Sequence, residues 1–261
     1  FFNMSNIPLV SIVMPSYNQA PYLADACHSV ARQDYPNIEF IIIDGASTDG
    51  SVEIINKLSS DPANRISFFV SEKDSGQAEA INKGFARANG EIIAWLNSDD
   101  LYMLGAVSKA VDIFSKNPQV GLVFSNVFSI DAKSQLINTM RFGKRGLREL
   151  LAFNIISQPG VFFKRSVLDR SGWLDPSYHF LLDHHLWLRL ALDSGFIFSE
   201  KIWAAARFHS QAKNTASAAE FGEEAIRLAK WMEGNPLFDK LWINNKNKVW
   251  AGAYRIKARY L

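Results

Sequence analysis

The sequence predicts an α/β fold: a mostly parallel central sheet flanked by helices, with a C-terminal helical extension. Three observations predict it. First, VSIVMPS (10–16), IEFIIIDG (38–45), ISFFVSE (66–72) and EIIAWLNS (91–98) are short β-branched or aromatic runs, apolar at nearly every position, as in strands covered on both faces. Second, each run is followed by a helical pattern: PYLADACHSVARQ, SVEIINKL, AEAINKGFARAN and LGAVSKAVDIFSKN. Strand and helix in strict alternation argue for right-handed crossovers and a parallel sheet. Third, EFGEEAIRLAKWM and KVWAGAYRIKARYL end the chain as two further helical patterns.

Between these blocks the texture becomes α+β. VGLVFSNVFSI and QLINTMRF read as a strand pair, RGLRELLAFN as a short helix and PGVFFKR as another strand. HHLWLRLALDSG reads as a helix ended by Gly195, and FIFSEKIWAAARFH returns as strand. No repeat, low-complexity linker or charge block divides the chain. The expected organisation is one domain over 1–215, in two halves (about 8–100 and 101–215), and an extension over 216–261.

The 261 residues are 48% hydrophobic and 21% charged, which is globular and excludes a disordered chain. A net charge of +2 gives no electrostatic case for nucleic acid as a partner. Cys27 stands alone, so an internal disulfide and a Cys-based zinc cluster are excluded, and a reducing compartment is expected. No stretch approaches the roughly 18 to 20 apolar residues of a membrane-spanning helix, and FFNMSN lacks the character of a signal peptide. The expected location is cytoplasmic, with the inner face of the membrane as a variant. A chain opening on Phe1 is open to being a piece of a longer protein.

Open parallel sheets bind ligands beyond the carboxyl ends of their strands, so the residues there carry the most weight. They are PSYN (15–18), DGASTDG (44–50), SEKDSGQ (71–77) and NSDD (97–100). The turn PSYNQAP holds no glycine, which removes the dinucleotide G-x-G-x-x-G reading, and no P-loop pattern occurs. Phosphate must be held another way. Carboxylates at a strand end suit Mg²⁺ or Mn²⁺, held by one or two carboxylates together with substrate phosphates. Asp99 and Asp100 are adjacent in an extended segment and point to opposite sides, so one is expected on a metal and the other on a ribose or sugar hydroxyl. Capping of the following helix is the competing reading for this pair, and for Ser47, Thr48 and Asp49 before SVEIINKL. Asp44, placed on a strand end, resists it.

Taken together, VSIVMPSYNQAPYLADACHSVARQDYPNIEFIIIDGASTDGS, EKDSGQAEAINKGFARANGEIIAWLNSDD, SQPGVFFKR and LLDHHLWLRLA, in this order and spacing, resemble the family 2 inverting glycosyltransferases. The resemblance runs from about Pro8 to about Asn214. It implies the GT-A fold with a Rossmann-like nucleotide-binding half. It also implies Mn²⁺ or Mg²⁺ as cofactor, a nucleotide-sugar donor with UDP favoured, and a carbohydrate or lipid-linked acceptor in cell-surface polysaccharide or glycan synthesis. Pro15, Tyr17 and Asn18 match the first nucleotide loop, and Asp44 the carboxylate that reads the base. Asp74 and Lys83 lie where relatives approach nucleotide and sugar. Asp99 matches the ribose or sugar contact, Asp100 the metal ligand, and Gln158 a position near acceptor or sugar. His209 and Lys213, in RFHSQAKN, are similar to a segment where His meets the metal or the diphosphate.

Asp183 matches the catalytic base, although relatives often carry Glu immediately before it and this chain has Leu182. A carboxylate at a helix N-terminus is favoured in its ionised form by the dipole, so Asp183 is expected to be ready to accept a proton at neutral pH. His184 and His185 are rival bases, ranked below it because a His on the apolar side of a helix packs. Trp95 and Trp187 are expected in the core, and Trp173 is a candidate to line a sugar site.

If 242–260 is helical, Trp242, Val249, Ala253, Ile256 and Tyr260 share a face flanked by Lys246, Arg255, Lys257 and Arg259. Such a stripe over 240–261 suits peripheral contact with an anionic membrane; a helix packed on the catalytic domain with a solvated basic edge is the preferred reading. Two other functions compete with sugar transfer: a glycoside hydrolase using paired carboxylates, which leaves the polar strand ends without purpose, and an inactive nucleotide-sugar-binding module, against which Asp183 argues.

Overall fold

A computed structural model describes residues 7–143, 146–210 and 218–259. The first half alternates as expected: β1 (Val10–Ser16), α1 (Ala20–Ala31), β2 (Ile38–Asp44), α2 (Ser51–Ser59), β3 (Ile66–Ser71), α3 (Gln77–Arg87) and β4 (Ile92–Trp95). Then come β5 (Leu101–Tyr102), α4 (Ala106–Lys116), β6 (Val120–Ile130), β7 (Leu136–Met140), α5 (Leu147–Leu151), β8 (Val161–Lys164) and α6 (Arg165–Ser171). The chain closes with α7 (Leu182–Asp193), β9 (Gly195–Arg207), α8 (Ala218–Glu233) and α9 (Asp239–Arg259).

One nine-stranded sheet runs in the order β3-β2-β1-β4-β8-β6-β9-β5, with β7 paired to β6 off that path. β3, β2, β1 and β4 are parallel neighbours. β8 is antiparallel to both β4 and β6, and β9 returns parallel to β6. The near-continuous apolar character of β1 follows from cover on both faces. Val10, Ile12 and Met14 join one core with Leu23 and Val30 of α1, Ile55 of α2 and Phe114 of α4. Val13 points the other way, into a core with Ile81 and Phe85 of α3 and Leu186 and Leu190 of α7. α3 sits so close to the sheet that a Cβ on Gly84 would lie 2.2 Å from Val13 Cγ1.

One expectation and one competing reading are corrected, and one element is new. Gly195 does not close α7; it is the first residue of β9, and the helix stops at Asp193 with Ser194 already extended. Asp99 and Asp100 cap no helix, because the two-residue β5 follows them and α4 starts only at Ala106, behind Gly105. α6, directly after β8, was not anticipated.

The stripe of α9 packs inward. Val249, Ala253 and Ile256 share one core with Phe221, Leu228 and Met232 of α8 and with Trp95 and Trp187, and Trp242 packs against it. A fully buried Val or Ile stabilises by about 1.5 to 3 kcal/mol relative to exposure, whereas the basic flank loses nothing by staying in water. Tyr260 lies outside the described residues. Among the described residues no helix is long and apolar enough to cross a membrane.

Candidate active site

The ends of β1 and β2 are laced to each other by short-range polar contacts. Asn18, at a left-handed φ of 51°, donates its N–H to Ser47 Oγ (2.8 Å), and its Oδ1 accepts from Thr48 N (2.9 Å). Asp49 accepts from the Ala20 N–H (2.9 Å), the Ser51 N–H (3.0 Å) and the Ser51 hydroxyl (2.6 Å), so it answers donors entering both α1 and α2. The little burial that Asp49 has pushes its pKa up, and Ser51 and Ala20 more than cancel that, leaving it below the ordinary carboxylate range. A cleft of about 360 Å³ opens here, lined by Asn18, Ala20, Pro21, Thr48 and Asp49. Pro15 is buried in β1 and Tyr17 projects into solvent at 63% exposure.

Asp44 is fully buried, and both its oxygens are engaged: Oδ2 by Ser47 N (2.9 Å) and Ser71 Oγ (2.7 Å), Oδ1 by Ser47 Oγ (2.6 Å). The carboxylate therefore braces the loop that carries the cleft. Asp74 comes up beside it: a Cβ on Gly45 would lie 2.8 Å from Asp74 Oδ2. Burial raises the pKa of Asp74, and the Gly76 N–H opposes this. Lys83 is bridged to Glu72 and Glu79, each at 2.9 Å.

Past the end of β4 the expected extended segment is a turn, closed by the Asp100 N–H on the Asn97 carbonyl (3.1 Å), and the side chains of Asp99 and Asp100 take different partners. Their partners differ from the expected division, which put Asp100 and His209 together on the metal. Asp99 Oδ2 lies 3.1 Å from His209 Nε2. Asp100, 5% exposed, turns inward, accepting the Arg207 N–H (2.8 Å) on Oδ1 and a longer contact from Asn97 (3.3 Å) on Oδ2. Arg207 ends β9 and is itself buried; it holds the Asp99 carbonyl (2.8 Å), the Asp131 carbonyl (3.1 Å) and Ser134 Oγ (2.9 Å). Tyr22 of α1 lies between the Arg207 guanidinium (4.8 Å) and the His209 ring (4.7 Å). Gln77 fixes Asn97 from α3 (2.8 Å). Gln77 and Asn97 lie in the strand-end segments singled out from the sequence but were given no role there, and Arg207 was missed, its one signal being an Arg closing the apolar run AAAR at a strand end.

The chemistry of this corner suits Mn²⁺ or Mg²⁺. Burial, and then the neighbouring charge of Asp99, drives the Asp100 carboxyl well above its usual pKa, the strain that a divalent cation relieves. Asp99 Oδ2 and His209 Nε2 supply oxygen and nitrogen donors that converge. Among the described residues no group of three or more His, Cys, Asp or Glu side chains is assembled for a metal. An ion held here would take its remaining ligands from water and a diphosphate, as Mg²⁺ commonly does.

Gln158 lies beside the same strand. Its Nε2 donates to the Trp95 carbonyl (2.7 Å), while its buried Oε1 has no partner. Trp95 stacks on Trp187 of α7 at 5.1 Å, so both are core residues and tie β4 to the helix that carries Asp183. Trp173 is 36% exposed. Lys213 lies outside the described residues.

Asp183 stands in the first turn of α7, its Oδ1 accepting the His184 N–H (2.7 Å). The expectation that the helix terminus keeps it ionised is corrected. Burial outweighs the backbone N–H groups, the Glu224 carboxylate adds to it, and the pKa is pushed up to about 7. Both rival bases are packed. His184 lies within 3.0 Å of the Leu150 carbonyl and 5.5 Å from the Phe153 ring. His185 is wedged between Tyr178 and Trp231, each 4.4 Å away, and burial followed by Arg189 lowers its pKa to about 3.

Carboxylates at the carboxyl ends of parallel strands, without a glycine-rich turn, mark an α/β protein whose polar groups gather where such sheets bind ligands. The family is settled by comparison: residues 11–172 match the model of glycosyl transferase family 2, and the chain belongs to that family. An uncharacterized glycosyltransferase of Rickettsia typhi is 29% identical over 224 residues, covering 80% of this chain and 67% of the relative. The chain spans between about half and two thirds of the length of such curated relatives. Two solved structures share its GT-A fold. S. aureus TarS 1-349, in complex with UDP-GlcNAc, superposes with a TM-score of 0.71 at 17% identity, over 97% of this chain and 71% of that one. A mannosyltransferase from Pyrobaculum calidifontis, in complex with GDP-Man and Mn²⁺, gives 0.69 at 21% identity, over 98% and 74%.

Proposed function

We propose that this chain transfers a sugar, with inversion, from a nucleotide-diphosphate donor to a hydroxyl of a carbohydrate or lipid-linked acceptor. A UDP-sugar is the favoured donor, and cell-surface polysaccharide or glycan synthesis, as the family resemblance implies, is the context. The donor half is 8–100, with its nucleotide over the Asn18–Asp49 cleft and its diphosphate at Asp99, Asp100 and His209. The acceptor half follows over 101–215. The observation that carries the proposal is Asp183, a carboxyl near the head of a helix with its pKa pushed up to about 7.

A group with that pKa is a far stronger base than an ordinary carboxylate and is still substantially ionised near neutral pH. Asp183 takes the proton from the acceptor hydroxyl as that oxygen attacks the anomeric carbon, opposite the departing diphosphate. Gln158, anchored through Nε2 on the Trp95 carbonyl, lies beside β4 near the sugar or acceptor. Asp99 and His209 would hold a Mn²⁺ or Mg²⁺ ion, which would compensate the charge gathering on the leaving group.

The test is a single-residue substitution read in two ways. Asp183→Asn keeps donor binding, by calorimetry with UDP-sugars and Mn²⁺, and lowers turnover by about 10² to 10⁴, the usual worth of a positioned base. NMR of the product shows the anomeric configuration reversed. Unchanged turnover, or a product of retained configuration, refutes the assignment.

A further inference from the structure

Helix α7 begins without a cap of its own. Leu181, at the N-cap, has no side-chain oxygen to offer the unpaired N–H groups of the first turn, and Leu182 follows it. Asp183 takes the His184 N–H of that turn (2.7 Å), and the backbone leading up to the helix is held from the C-terminal extension. Glu224 of α8, 8% exposed, accepts the N–H of His179 (2.6 Å) on Oε1 and those of Phe180 (2.8 Å) and Leu181 (2.9 Å) on Oε2.

Two more residues on the same face of α8 grip the same segment. Arg227 donates to the Ser177 carbonyl (2.5 Å), lies 3.4 Å from Glu224 Oε1 and covers the Tyr178 ring at 4.2 Å. Trp231 meets the His185 ring edge-on at 4.4 Å. Positions 224, 227 and 231 are one helical stripe, so α8 holds the whole approach to Asp183.

We propose that Glu224 is a positioning residue for Asp183: it fixes the backbone entering α7 and, through it, the carboxylate that takes the acceptor's proton. The inference rests on the reading of Asp183 as base, and it makes the C-terminal extension part of the catalytic machinery. Glu224 also sets a like charge near Asp183, and this acts on Asp183 in the same direction as its burial. The elements packed here carry Glu224 and Arg227 on α8, Asp175 and His179 before α7, and His184 and His185 on α7, and among these Glu224 is the one whose charge acts on Asp183.

A plain structural cap and a positioning residue part company in a titration. The probe is the ¹³C carboxyl shift of Asp183 against pH, with UDP release from a UDP-sugar and Mn²⁺ as the activity readout. Glu224→Gln removes the charge, so the Asp183 midpoint falls to lower pH, and turnover drops by about tenfold or more, because misplacement on the scale of 1 Å costs up to 10²-fold. Glu224→Asp retains the charge with a shorter reach: turnover drops while the midpoint stays near that of the unaltered protein. Donor KM is unchanged in both. A Glu224→Gln protein with the Asp183 midpoint and turnover unmoved overturns the inference. If the Gln variant does not fold, Glu224→Asp decides alone, and turnover equal to the unaltered protein overturns it. Failure of the underlying reading shows separately, as full activity in Asp183→Asn.

Discussion

Asp49 and Asp183 each stand at the start of a helix, yet the structure treats them oppositely. Asp49 collects three hydrogen bonds from Ala20 and Ser51 and is held below the ordinary carboxylate range. Asp183 receives the His184 N–H and is enclosed, and its pKa rises to about 7. The difference is made by burial and neighbouring charge. At α2 Asp49 answers Ser51 at the head of the helix and is exposed; at α7 Asp183 answers His184 but is buried, and Glu224, 43 residues away at its nearest contact, holds the backbone N–H groups just before the helix and adds a like charge. A helix dipole does not by itself make a carboxyl acidic: distribution of donors and burial decide. Asp44 and Asp49 are carboxylates whose hydrogen bonds hold the shape of the donor loops, while Asp183 is a buried carboxyl whose backbone donors do not offset its burial.

This contrast can be broken or sharpened in four ways. The largest expected effect is catalytic: Asp183→Asn loses about 10² to 10⁴ in turnover, whereas Asp49→Asn, followed in the same steady-state assay, leaves the rate constant of the bound complex near its normal value. Next is the metal corner. A UDP-sugar with Mn²⁺ at 100 times its dissociation constant raises unfolding stability by about 2.7 kcal/mol, and chelation or Asp99→Ala abolishes most of that gain in a melting experiment. Equal stabilisation without metal breaks the assignment of Asp99 and His209.

A smaller effect reverses the usual sign. Because Asp183 has a folded pKa near 7 against about 3.8 unfolded, its contribution favours folding fully below about pH 4 and is lost as pH rises through 7. Asp183→Asn therefore melts higher than the parent at pH 8, by roughly 2 to 4 °C for each kcal/mol recovered, and the gap closes at pH 4. The smallest effect is at Asp49, whose depressed pKa stabilises above the unfolded value and ceases to as pH falls through the folded one. Asp49→Asn costs about 0.5 to 1 kcal/mol at pH 7 in urea unfolding, discounted for its exposure, and less near pH 3.

What the sequence made legible follows the same division. β1 to β4 and the helices between them could be read because cover on both faces writes a strand as a nearly unbroken apolar run. Asp44, Asp99, Asp100 and Asp183 stood out because they end strands or open a helix. β5 was invisible: Leu101 and Tyr102 are a strand only because β9 pairs with them. The partners of Asp99 and Asp100 were equally hidden, since His209 and Arg207 lie over a hundred residues away and reach them through sheet order. Glu224 looked like one more charge on an amphipathic helix. Nothing in its spacing tells a solvated Glu from one that caps a distant α7, and the stripe of α9 left membrane and core as alternatives until packing chose the core.

The central claim is that a carboxyl whose burial outweighs its donors acts as the base near neutral pH, and the pH dependence of kcat/KM for a UDP-sugar with Mn²⁺ tests it most directly. The account predicts an acid limb with a midpoint close to pH 7, matching the midpoint of the Asp183 carboxyl titration. A rate that stays flat from pH 8 down to pH 5 while that carboxyl titrates contradicts it.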